Sequence, residues 1–283
     1  KYDFYSKSYL REHAVKRISR VIKNLPDLNY STQTIVDIIN FRINSHLRSG
    51  VTAVGNIYDK LLLCHSEQNS KELSAYEQNG FVGVYYWCHA LIARDWFRFA
   101  EYDRDLNFAI DKIKYDFLIY NRAWSGSREY RLKFAELLLE NHLTNSVRMS
   151  FNPLDNGIHY CDHKFDNSNL KIFRQDFESY YPLNQYSSTA SADYVFEDYQ
   201  TSFIEIVLET LFDDSRIQLT EKSLRPIACC QPFILVSTPG SLQYLRDYGF
   251  QTFSHWIDES YDTVTDPVGR LECIVSDMKK LSS

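Results

Sequence analysis

The sequence predicts an α/β protein of two lobes with parallel strands. Three observations carry this. Short apolar runs of strand length alternate with longer amphipathic stretches, the pattern of layered βαβ units. That pattern stops and restarts between residues 106 and 114, so one such layer follows another. The composition is globular, with 44% hydrophobic and 24% charged residues and no apolar run of membrane length. A chain of 283 residues suffices for one large or two modest domains.

In the first lobe, residues 1–110, a helix is expected over 8–25. Leu10, Ala14, Ile18, Val21, Ile22 and Leu25 share one face. Arg11, Lys16, Arg17, Arg20 and Lys23 crowd the other, either as a solvated face or as a contact for nucleic acid or a membrane surface. A second helix is expected over 33–47. Residues 60–64 (KLLLC) read as a buried strand that delivers His65-Ser66-Glu67 at its carboxyl end, the end that faces ligands in open α/β sheets. A short helix over 69–77 and a strand over 81–87 (FVGVYYW) follow. They lead into Cys88-His89 and an aromatic helix.

The second lobe, 111–283, opens with a strand over 115–121 (YDFLIYN) and a polar loop containing Gly126. A helix over 128–142 turns Tyr130, Phe134, Leu137 and Leu138 inward. Strands are expected over 146–151, 203–208, 233–236 and 252–255. Residues 152–190 show no clear element. A helix over 241–248 is closed by Gly249. The last helix, 266–281, carries an apolar stripe of Val268, Leu271, Ile274, Val275 and Met278 that must bury itself. It is expected to pack back on the first lobe.

The stretch 211–233 organises the second lobe. It reads strand, loop, short helix, strand, with Thr220-Glu221-Lys222 where the loop becomes the helix. Thr is a good N-cap, and a helix N-terminus presents free N–H groups and a positive dipole end that suit a phosphate. Lys222 adds a mobile positive charge. Glu221 can accept hydrogen bonds from two vicinal hydroxyls, as on a ribose. The plain alternative is a capped helix whose charges are solvated.

Thr220-Glu221-Lys222, a helix, then Gln231-Pro232-Phe233-Ile234 resembles the donor-binding segment of fucosyltransferases and related GT-B glycosyltransferases. Asn121-Arg122 followed by Arg128 and Arg131 resembles the strand–Asn–loop–Arg segment that opens their donor domain. The likeness covers roughly residues 115–253. It implies two Rossmann-like lobes, GT-B-like, with a reduced N-terminal lobe. It further implies a metal-independent transfer from a nucleotide-sugar donor, with no cofactor. Glu221 then holds the ribose, and Lys222 with Arg122, Arg128 or Arg131 neutralises the diphosphate. Pro226 departs from the family's smooth helix, and implies either a start nearer Ser223 or a kink. A looser likeness, over HALIARDWFRFAEYD, YNRAWSGSREYRLKF and GSLQYLRDYGFQTF, is to phage-encoded, uncharacterised glycosyltransferase-like proteins.

For an acceptor-side base the first lobe offers Glu67 and His65, with His89 and Asp95 as further groups. Each also reads as an ordinary loop carboxylate, structural histidine or ion-pair partner. Asp213-Asp214 and His159-Tyr160-Cys161-Asp162-His163 contain metal-binding residue types, but neither has a known ligand spacing, and no metal is expected. No P-loop, Gly-x-Gly-x-x-Gly or Gly-x-Ser-x-Gly occurs, which disfavours kinase, dehydrogenase and hydrolase readings.

A net charge of −6 argues against a general polyanion binder, while helix 8–25 keeps a DNA acceptor open. The 21 Tyr and 18 Phe suit saccharide-stacking walls as well as a core. The acceptor is thus expected to be a saccharide or modified DNA. The alternative is a non-catalytic GT-B-like binding or structural protein. Six cysteines without a CxxC pair read as free thiols in a cytoplasm, that of a host cell if the gene is phage-borne. Oligomeric state is left open.

Overall fold

The structure is a computed structural model that describes residues 62–78, 81–87, 110–121, 123–151, 165–171 and 195–282. The chain divides into two compact units, Lys1–Val54 and Gly55–Ser283, and every described residue lies in the second. The helices expected over 8–25 and 33–47, the aromatic helix after Cys88, and Arg122, His89, Asp95 and the 159–163 cluster lie outside the described residues.

Strand β1 (Leu62–His65) and strand β2 (Val82–Tyr85) pair in parallel, joined by helix α1 (Lys71–Gln78). The crossover is tight. A Cβ on Gly83 would lie 2.7 Å from the Leu73 carbonyl oxygen, so only glycine lets α1 settle on β2.

The larger sheet begins with β3 (Tyr115–Asn121), whose central residues Phe117, Leu118 and Ile119 have no exposed surface. A single-turn 3-10 helix, Gly126–Arg128, leads into α2 (Tyr130–Glu140). Then come β4 (Val147–Phe151), α3 (Phe196–Thr201), β5 (Ser202–Leu208), α4 (Glu221–Ala228), β6 (Phe233–Val236), α5 (Ser241–Asp247), a 3-10 turn at Glu259–Thr263, and α6 (Pro267–Leu281). The order across this sheet is β4-β3-β5-β6, and every pair is parallel. The fold is therefore α/β around a parallel four-stranded sheet, as in Rossmann-like folds.

Burial on both faces explains why β6 (FILV) reads as a continuous apolar run, whereas β5 buries Glu205 in a pair with Arg225. Alternation along β3 sends Phe117 and Ile119 into the main core, while Leu118 clusters with Tyr199 of α3 and Cys229 beyond α4.

The segment 252–255 is not a strand. Glu259 accepts from the Phe253 amide (2.6 Å) and from Thr252 Oγ1 (2.8 Å), and the Trp256 and Ile257 amides turn back to the Phe253 carbonyl, so local bonds replace a ladder. In the acidic run 258–262, Asp262 is buried and caps α5. Helix α4 begins at Glu221 with Pro226 inside it; Pro226 merely has no N–H for the Lys222 carbonyl. Cys230, at φ 54°, then closes α4, its amide donating to the Ile227 carbonyl and that of Gln231 to Pro226.

The last helix was expected on the first lobe. Among the described residues, Leu271, Ile274, Val275 and Met278 of its stripe are buried in the main core, which also includes Trp87, and α6 packs on α2, on β6 and on the 3-10 turn. The sheet face at β6 needs that cover, since all four β6 residues are buried.

Candidate functional site

In the larger sheet the chain goes from β3 outward to β4, then returns across β3 to β5 and moves outward to β6. The connections from β3 and β5 thus leave in opposite directions. In open α/β sheets this switch point, at the carboxyl ends of the strands, is where ligands sit. Asn121 ends β3, and Leu208 ends β5, with Glu209 next in the chain.

Arg131 closes the floor of this point. It is 2% exposed. Its Nη1 donates to Asn121 Oδ1 (3.1 Å) and to the Ala123 carbonyl (2.5 Å). Its Nη2 donates to the carbonyls of Leu208 (2.7 Å) and Glu209 (3.0 Å). The planar fork suits such paired acceptors, and strand-end carbonyls have no ladder partner. Arg131, expected to meet a diphosphate, thus faces inward and joins β3 to β5. Asn121 is buried with it, its Nδ2 unpartnered and its amide donating to Ser150 Oγ (3.2 Å).

Between β3 and α2 the chain turns at Gly126, φ 61°, a left-handed conformation that glycine allows. Ser127 Oγ then donates to the Thr210 carbonyl (2.9 Å), and Tyr130 Oη to the Glu209 carbonyl (2.7 Å). Burial pushes the Tyr130 hydroxyl up to about 12.

Thr220 is the N-cap of α4, as expected, its hydroxyl accepting from the Lys222 amide (3.4 Å). Lys222 Nζ donates to Thr220 Oγ1 (2.8 Å) and to Glu221 Oε1 (3.2 Å), and lies 3.9 Å from Glu209 Oε2. Glu221 is 8% exposed. Sequence reading missed Glu209, which has no exposed surface and accepts from the Thr220 amide (2.8 Å), Thr220 Oγ1 (2.8 Å), Ser223 Oγ (2.5 Å) and the Thr210 amide (3.2 Å). Its signal was available: it is a carboxylate at the carboxyl end of an apolar strand, the feature that drew attention to Glu67.

Burial pushes the Lys222 amine down. Glu209 and Glu221 oppose that shift, while Arg131 and Arg128 add to it. Lys222, Arg131 and Arg128 thus lie within electrostatic reach of Glu209 and Glu221.

A comparison with family models, curated proteins and solved structures finds no match.

Ser66, Glu67, Gln68 and Trp87 meet the chain leading to this cluster. Gln68 and Ile217 form an antiparallel bridge. Glu67, 5% exposed, pairs with Arg216 Nη1 at 3.0 Å. Arg216 also pairs with Asp214. Gln218 Nε2 donates to Ser66 Oγ (3.3 Å), and Trp87 Nε1 to the Leu219 carbonyl (2.6 Å). His65 Nδ1 accepts from the Glu67 amide (3.1 Å). Among the described residues, no group of three or more His, Cys, Asp or Glu side chains is arranged to hold a metal ion.

The helix ends nearby are already supplied with anions. Glu209 lies at the start of α4. Asp262 accepts from the Leu242 (3.1 Å) and Gln243 (3.3 Å) amides at the start of α5.

Proposed function

We propose that this chain is a metal-independent glycosyltransferase of GT-B type that binds a nucleotide sugar at the carboxyl ends of β3 and β5. One observation carries the reading: the Thr220-Glu221-Lys222 cap of α4 is bonded through Glu209 to the end of β5, beside the switch point of a parallel sheet. In this reading Glu221 accepts from the ribose hydroxyls, and Lys222 and Arg128 meet the diphosphate. Asn121 and Arg131 hold the strand ends beneath. The resemblance over 211–233 supports the same assignment. Glu67 or His65 deprotonates the acceptor, a saccharide or a modified DNA base.

The test is calorimetric titration with GDP and with UDP, each with and without EDTA, on the wild type and Lys222→Ala. Binding that survives EDTA and falls in the variant is expected. Absence of binding by the wild type to either nucleotide overturns the reading.

The Glu67–Arg216 pair favours a second reading, a non-catalytic binding protein. In that pair the Glu67 side chain, 6% exposed, serves the packing of Arg216. Release of nucleotide from a sugar donor above background separates the two, since only a catalyst hydrolyses the donor.

A further inference from the structure

We propose that Glu209 is the positioning residue of this site, holding the Thr220 cap and the Lys222 ammonium in one bonded set from inside the protein. The inference rests on the donor-site reading for its meaning in binding. A carboxylate has about four acceptor positions. Those of Glu209 take two donors from Thr220, one from Ser223 and one from Thr210, so its place is fixed from both β5 and α4. Thr220 Oγ1 donates to Glu209 and accepts from Lys222 Nζ, which links the lysine to Glu209 through one hydroxyl as well as directly at 3.9 Å.

The charges facing Lys222 come from three sides. Glu209 extends from the end of β5, and Glu221 shares α4 with the lysine. Arg128 lies in the turn before α2, and Arg131 on α2. Lys222 is mostly buried, with 15% of its side chain exposed. Removing the charge of Glu209 takes away the larger of the two carboxylate contributions that oppose burial and the two guanidinium groups. The ammonium then gives up its proton at lower pH, and the site loses a cation that a diphosphate needs. Glutamine keeps the shape, and the Thr220 and Ser223 hydroxyls can turn to accept from its amide.

The experiment reads Lys222 directly on the full chain. The protein is labelled with [13Cε]lysine, and the Lys222 signal is assigned by its absence in Lys222→Arg. In Glu209→Gln its titration midpoint is expected at lower pH than in the wild type. Ser223→Ala removes one donor but leaves the charge, so there the midpoint stays while the melting temperature falls. If Glu209→Gln does not fold, Glu209→Asp withdraws the carboxylate by one methylene and is expected to shift the midpoint in the same direction. An unchanged midpoint in the folded Gln or Asp variant overturns the proposal. GDP and UDP are titrated in parallel, and in Glu209→Gln their affinity should begin to fall at lower pH. Lack of nucleotide binding by the wild type overturns the donor reading alone, because the lysine midpoint is measured without ligand.

Discussion

The guanidinium of Arg131 donates at 3.1 Å to Oδ1 of Asn121, ten residues back in the chain, and from the same position reaches the end of β5. Arg131→Lys keeps the charge and loses the fork. Three backbone carbonyls and one side-chain oxygen then share a single ammonium. A loss of roughly 2–4 kcal/mol is expected in urea denaturation. If stability is unchanged and nucleotide affinity falls instead, Arg131 is a ligand-binding residue after all.

Glu67→Gln separates the two roles open to Glu67. The buried pair with Arg216 is broken, though Asp214 still holds the guanidinium, so a cost of about 1–3 kcal/mol is expected. A base at this position predicts in addition a fall in kcat at constant KM for sugar transfer. A stability change with kcat intact assigns Glu67 to the scaffold.

Asp262 supplies a pH signature. Burial raises its carboxyl above the usual range against the pull of the Leu242 and Gln243 amides. A group raised in the folded state gives stability that is complete below its unfolded value and is lost as pH rises through the folded one. Wild-type stability should therefore lose a component on going from about pH 4 towards neutrality, one that is missing in Asp262→Asn. Parallel urea midpoints against pH for the two proteins check this. Identical slopes contradict it.

Met278→Ala tests where α6 belongs. The side chain has no exposed surface and lies in the main core. A cost of about 2–5 kcal/mol is expected. Faster hydrogen exchange should appear over residues 130–140 and 233–236, which α6 packs against. Loosening confined to residues 62–87 contradicts the packing.

Much of the frame was legible because it depends on local signals. The strands Tyr115–Asn121 and Phe233–Val236 fall where apolar runs predict them, and Thr220 caps α4 as its side chain requires. What was not legible depends on partners far away in sequence. Glu209 reads as the polar end of a strand until Thr220 and Ser223 are seen to close on it. Arg128 and Arg131 are equivalent by spacing, yet only the second meets the carbonyls of Leu208 and Glu209. The segment 252–255 has strand composition, and Glu259 overrides it. Helix α3 gave no signal of its own, being six residues long and fixed by Tyr199 against Glu205.

The bond from Trp87 to the Leu219 carbonyl spans 132 residues. A chain made from its N-terminus at about 5–20 residues per second needs roughly 7–26 s to extend from one partner to the other. Through that interval the nascent Trp87 ring lacks the tyrosines it later packs against, Tyr244 and Tyr248. Residues 62–87 are thus synthesised early and completed late. The greatest exposure to aggregation falls on the growing chain, and slowing translation before residue 219 should lower the soluble yield without changing the stability of the protein that does fold.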